Sequence, residues 1–182
     1  MPSEPLDAGM ARLVAEQRAE DAAKARIRER ALRTSATTDA TLAGIVVDLA
    51  EREETVSVRT TAGRSVTGRV LAVARDAVAV EAGPVTTYIP LGAIAVVRSP
   101  AGRVEPSGSR SLPQVSLAAL LAALAPERPT VAVAVEGDPT LWRGELRAVG
   151  ADTLTLRVAG DPPTTAYIPL DQLSELTVLA SG

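Results

Sequence analysis

Asp76 and Asp152 stand at matching places in two similar stretches of the chain, and a carboxylate pair is basic equipment for acid–base catalysis or for holding a hard cation. Aspartate is also a common hairpin residue, because its side chain accepts hydrogen bonds from nearby backbone amides. Nothing in the sequence draws the two together, so a turn role is expected for both. Gly63 and Gly137-Asp138 read the same way, with no phosphate-loop or dinucleotide pattern around them. The 182 residues include no Cys and no His. Their absence removes thiol and imidazole chemistry, disulfides and the usual zinc sites. No nucleophile–base pair is left, and the expectation is a protein that is not an enzyme and uses no metal or cofactor.

Residues suited to binding are few. Tyr88, Tyr167 and Trp142 are the whole aromatic complement. The tyrosines occupy matched positions, where a ring could cover the end of a β-structure or meet a partner. Trp142 follows Leu141 and precedes Gly144 and Leu146, an alternation that aligns it with Thr67 and points it outward. An outward Trp calls for cover by another element or a partner. These three are the candidate partner contacts. Positive charge gathers only at Lys24, Arg26, Arg28, Arg30 and Arg33, of which Arg26, Arg28 and Arg30 are the candidate nucleic-acid contacts. Residues 1–34 nevertheless carry seven basic and six acidic side chains, and the whole chain has 19 Lys+Arg against 22 Asp+Glu, net −3. A solvated helix face accounts for the run, and the balance gives no electrostatic case for nucleic acid or an acidic membrane.

The elements that hold these residues come in duplicate. Thr41 through Val58 aligns with Ser116 through Val133 at an offset of 75; the offset becomes 76 from Gly68/Gly144 and 79 at Tyr88-Ile89-Pro90-Leu91 against Tyr167-Ile168-Pro169-Leu170. The length changes fall at Gly/Pro turns. Each copy opens with a helical pattern, Leu42, Ile45, Val46, Leu49 and then Leu117, Leu120, Leu121, Leu124, with Thr38 or Thr41 as the first N-cap. Period-two runs follow and predict strands at 55–60, 65–74, 77–82, 86–90 and 93–98, then at 130–136, 141–150, 153–159, 165–169 and 172–179. Pro90 and Pro169 should end their strands. Residues 1–35 form a charged N-terminal helix with a helical pattern over Leu6–Arg33, whose large apolar residues are Leu6, Met10, Leu13, Val14 and Ile27. The copies with their leading helices occupy 36–99 and 115–182, and the Pro/Gly/Ser-rich stretch 100–114 reads as a linker. The composition, 46% hydrophobic and 23% charged, is globular. The longest apolar run, Val115–Ala125, is too short for a membrane helix. Met1–Asp7 lacks signal-peptide features, so a cytoplasmic protein is expected. One Lys against 18 Arg suits a high-GC bacterial genome.

A helix followed by five short strands, with a glycine in the long second strand and a tight turn after the fourth, resembles the Sm/Hfq-like small β-barrel, and SH3-like barrels share much of the pattern. Thr55-Val56-Ser57-Val58, Gly63, Val66-Thr67-Gly68-Arg69-Val70 and Val73 are similar to the first family motif, and Tyr88–Ile94 falls where Hfq has its Tyr-Lys-His segment. Gly68 and Gly144 fit a strand that must bend to close a barrel. The resemblance implies a mainly β fold with helices: two tandem five-stranded Sm/SH3-like barrels, each preceded by a short helix, plus the long N-terminal helix. The RNA-contact residues do not carry over. Ile89-Pro90 and Ile168-Pro169 stand where Hfq has Lys-His, Val78 lies near the place of the Sm asparagine, and Val73-Ala74 replaces the Phe-Asp turn. In Sm rings the fourth and fifth strands of neighbours pair, which implies pairing of the two barrels within this chain first and leaves other edges for further contacts. The expected function is a non-catalytic assembly or adaptor protein, with a protein partner or self-association. The alternative is an RNA- or single-strand-binding regulator of Sm/Hfq type.

Overall fold

A computed structural model describes residues 4–99 and 112–180. Residues 4–38, rich in Ala, Glu and Arg, are strong helix formers and build α1 (Glu4–Thr38), 35 residues long. The helix passes the expected end at Arg33 because Thr34 and Thr38 adapt to it: their hydroxyls donate to the carbonyls of Arg30 and Thr34 at 2.9 and 3.0 Å. Lys24 pairs with Glu20 at 3.9 Å, while Val14, Ile27 and Leu32 stay exposed. Among its described side chains α1 buries none. The side chains of Leu6, Met10, Leu13 and Arg33 lie outside the described residues, as do residues 100–111 of the expected linker.

The period switch after each short helix produces strands where the alternation places them. In the first half α2 (Leu42–Glu51) precedes β1 (Thr55–Thr60), β2 (Ser65–Val73), β3 (Ala77–Ala82), β4 (Val85–Pro90) and β5 (Ile94–Arg98). In the second, α3 (Leu117–Leu124) precedes β6 (Thr130–Val135), β7 (Leu141–Val149), β8 (Thr153–Val158), β9 (Thr164–Pro169) and β10 (Leu173–Val178). Thr41, not Thr38, caps α2: its Oγ1 accepts the Gly44 N–H at 3.0 Å, and Ser116 caps α3 through the Ala119 N–H at 3.2 Å. Pro90 and Pro169 each end a strand and lead into a single 3-10 turn, Leu91–Ala93 or Leu170–Gln172. The protein is mainly β with helices, and its ten strands form one antiparallel sheet in the order β5-β1-β2-β3-β4-β10-β6-β7-β8-β9.

The duplication extends to irregularities that a hydrophobic pattern cannot encode. Each half runs through the same strand order, and β2 slips register against β3 at Val70/Ala72 as β7 slips against β8 at Leu146/Ala148. The pairings of β1 with β5 and of β6 with β10 skip Ala95 and Ser174, a matched pair of bulge residues. Each half has its own core. Val46, Leu49, Val56, Val58, Val70, Val78, Val80 and Ile89 fill the first; Leu117, Leu121, Leu146, Leu154, Leu156 and Leu176 dominate the second. β3 is buried on both faces: Val78 and Val80 face the first core, while Ala77 joins Ala74 in the second. The halves at 36–99 and 115–182 are thus joined edge to edge through β4 and β10, and the sheet does not stop at the boundary between them.

Gly68 and Gly144 mark where the long second strand of each half lies closest to the third. A Cβ on Gly68 would sit 2.0 Å from the Glu81 carbonyl oxygen, and one on Gly144 would sit 2.5 Å from that of Arg157. Both distances are far inside van der Waals contact, and the obstacle is backbone. Gly68→Ala and Gly144→Ala are each expected to cost about 2–3 kcal/mol in urea unfolding, Gly68→Ala the more, because the strands must part. Gly92→Ala, whose Cβ would meet nothing within 4 Å, should stay within about 0.5 kcal/mol; equal costs at all three sites would contradict the close approach.

Candidate functional site

The two halves meet at the junction between β4 and β10. Tyr88 lies opposite Leu176, Thr87 opposite Thr177 and Thr86 opposite Val178. Thr87 and Thr177 share a hydroxyl–hydroxyl hydrogen bond of 3.0 Å in a part-buried position. Tyr88 packs against the second core although it belongs to the first half. Burial pushes its hydroxyl above the ordinary tyrosine range.

Two contacts made by charged side chains join the halves beside the junction. Arg64, from the turn between β1 and β2, donates through Nε to Oε1 of Glu175 on β10. Glu175 is buried, and its Oε2 has no hydrogen-bond partner, so the guanidinium is its main compensation. Ser174 beside it is also buried and lies 3.5 Å from the Thr61 hydroxyl. Asp76, in the turn between β2 and β3, accepts the backbone N–H of Leu117 at 2.7 Å, and the Arg75 N–H donates to the Val115 carbonyl at 2.9 Å. A carboxylate at the first turn of α3 satisfies a donor that the helix itself cannot. The first half therefore supplies a cap to the helix of the second.

The carboxylates considered for chemistry hold structural positions. Asp76 and Asp152, expected to stay apart, line one shallow depression of about 370 Å³ with Asp171, Arg75 and Leu117. Asp76 is engaged by Leu117, and Asp152 Oδ1 accepts the Thr153 hydroxyl at 2.8 Å. The two turns are built alike: the Asp76 and Asp152 carbonyls accept the N–H groups of Leu91 and Leu170 at 2.8 and 2.7 Å. Among the described residues no group of three His, Cys, Asp or Glu could hold a metal ion, and no helix is long and apolar enough to cross a membrane.

Of the candidate partner contacts, Trp142 is not outward. It pairs with Val133 and so corresponds to Val66, which pairs with Val58, rather than to Thr67. The longer turn of the second half, Glu136–Thr140, shifts the alternation by one residue and turns the ring onto the second core. Its Nε1–H donates to Asp138 Oδ2 at 2.9 Å. The Thr140 N–H, the Trp142 indole and the Thr140 hydroxyl, in that order, hold the Asp138 carboxyl below its usual range. Tyr88 and Tyr167 match in sequence but not in surroundings: Tyr88 is half-buried at the junction and Tyr167 is exposed on β9. Arg26, Arg28 and Arg30 are exposed on α1. Residues two apart lie on different helix faces, so Arg28 does not share a stripe with the other two. Sequence reasoning missed Glu175 and Arg64, since no local pattern announces a charge that is buried only because another half covers it. Compared with known proteins, the chain matches no family model and no curated protein.

Arg64→Ala leaves the Glu175 carboxylate buried and uncompensated, and a loss of about 2 kcal/mol in urea unfolding is expected, the half-exposed Arg64 keeping the cost below that of a fully buried pair. Adding Glu175→Val should restore most of it; no recovery in the double variant would contradict the account. In Tyr167→Phe the one remaining tyrosine is Tyr88. Its phenolate absorbance should titrate above 10.0, because the folded state favours the protonated ring. Stability from this group then declines as pH rises past the unfolded value; a midpoint at or below 10.0 would contradict the burial.

Proposed function

We propose that this protein is a non-catalytic assembly or adaptor module, built of two small barrels of Sm-like or SH3-like kind, that acts by pairing strand edges. The observation that carries this reading is the β4–β10 junction, where an edge of one half takes an edge of the other as its next strand. The chain thereby uses, to join its two halves, the feature that most sheets protect. β5 and β9 end the strand order, each paired on one side, and an edge with free backbone donors and acceptors is a template for another strand. A shared strand order and matched bulges support the duplicated small-barrel reading. Residue types agree with a non-catalytic role, since the chain has neither His nor Cys and its paired aspartates serve turns and a helix cap. Regulation through RNA has less support: two tyrosines and one tryptophan are the only aromatic side chains, Trp142 is turned inward, and Arg28 lies on a different face of α1 from Arg26 and Arg30.

The test is affinity purification of the tagged full chain beside a variant with both edges charged, Val96→Asp with Tyr167→Asp. A protein retained by the parent and lost from the variant is the expected result. Recovery of nucleic acid alone, or of the same proteins by both, would overturn the reading.

A further inference from the structure

We infer that α1 pairs side by side and antiparallel with α1 of a second copy, so that the acidic half of each helix lies on the basic half of the other. This contact is separate from the strand edges and goes beyond the role proposed above. Its occupant is a second copy of this chain.

Nothing within the chain covers the helix. At a rise of about 1.5 Å per residue, α1 reaches roughly 50 Å. Among its described side chains none is buried, and Ile27 and Leu32 are 70% and 66% exposed. A long helix that stands clear of a core is held by its own ion pairs or by a partner. The Lys24–Glu20 pair, 3.9 Å apart with both side chains largely exposed, contributes little by itself.

Charge along α1 is divided between its ends. Residues 4–21 carry five acidic and two basic side chains, and residues 22–38 carry one acidic and five basic. Acid near an N-terminus and base near a C-terminus suit the helix dipole, but that effect is confined to the first and last turns, whereas the division here runs the whole length. Two such helices laid parallel would set like charge against like over both halves. Laid antiparallel, they set opposite charge together twice. The antiparallel arrangement also keeps the two β bodies apart, since α2 begins three residues after α1 ends and a parallel pair would bring both bodies to one end.

One face of the helix sets the register. Gln17, Glu20, Lys24, Ile27 and Ala31 follow one another at spacings of three and four, which places them on a single stripe, all exposed. A shallow groove of about 710 Å³ lies along this side, lined by Glu16, Gln17, Ala19, Glu20 and Ala23. In sequence the same spacing runs back to Leu13, Met10 and Leu6. Two copies set antiparallel about residue 22 place Glu20 opposite the second copy's Lys24 and Gln17 opposite its Ile27, with Glu16 beside its Arg30 on the flank. Symmetry makes each contact twice. Asp21 meets its own counterpart at the axis, with Lys24 of each chain one turn away. The helices then overlap over residues 6–38, and a shift of one heptad in either direction shortens the overlap and parts Glu20 from Lys24. Polar residues at central positions weaken such a pair while fixing its direction and register.

The test is sedimentation equilibrium on the full chain carrying Val96→Asp with Tyr167→Asp, so that strand edges do not contribute. The mass should rise with concentration from one 18.8 kDa chain to two and then stop, and association should weaken as salt is added. Glu20→Lys and Lys24→Glu, added separately, should each weaken it about 10-fold, because two opposite-charge contacts become two like-charge ones. Mixed in equal amounts, these two variants should associate as tightly as the unswapped chain, since each supplies the charge that the other lacks. Loss of helix alone cannot produce that recovery. Direction is read separately: in a chain with no cysteine of its own, Gln17→Cys mixed with Ile27→Cys should form mainly the mixed disulfide, whereas parallel helices would form the two same-residue ones. A chain that stays monomeric, a mixture no tighter than its components, or an excess of same-residue disulfides would overturn the inference. Should the parent chain associate while the edge-charged chain does not, α1 pairing fails and the strand-edge reading stands. Dimers of the edge-charged chain that retain every protein the parent retains would support α1 pairing and remove the strand-edge reading.

Discussion

A sheet edge must either find a partner or be defended against finding one, and in this molecule that requirement decides the architecture. Each half has its own strands and its own core, yet neither is finished alone: Ala74 and Ala77 of the first half lie in the core of the second, and Tyr88 packs against it. The β4–β10 pairing supplies the missing neighbour. It buries Glu175 and Ser174 and brings Asp76 to the start of α3. A polar residue is tolerated at these buried positions because the other half brings its partner, so the junction is specified by charge and hydrogen bonding as well as by apolar contact.

Within each half, the approach of the second strand to the third is set by backbone rather than by side chains. Glycine at positions 68 and 144 lets the long strand approach its neighbour more closely than any Cβ permits, and the bulges at Val70/Ala72 and Leu146/Ala148 add twist just beyond. With so few aromatic residues, bulk comes from many small branched side chains. The first core is built largely of Val and the second of Leu, so the halves share a frame without sharing a packing.

Much of this was legible in the sequence. The period switch from helix to strand located the elements, Pro90 and Pro169 ended their strands as expected, and the repeat offset fixed which residues correspond. Trp142 was misplaced because an extra residue in the Glu136–Thr140 turn shifts the alternation, and orientation depends on the count across that turn. The buried state of Glu175 was not legible at all: a single carboxylate in LSELTV reads as the polar face of an edge strand, and only the arrival of Arg64 from a distant turn makes its burial tolerable. Asp76 reads locally as a turn residue and is one; that it also caps a helix across the 100–114 stretch follows from the pairing of the halves, which local sequence does not contain.

The most direct measurement of that pairing is native-state amide hydrogen exchange on the dilute chain, comparing β4 with its counterpart β9. The β4 amides directed at β10 should be protected to the level of the core strands, while the matched amides of β9, at the end of the strand order, exchange by local opening. Equal, rapid exchange in both strands would mean that the halves are not paired, and would contradict the account from its foundation upward.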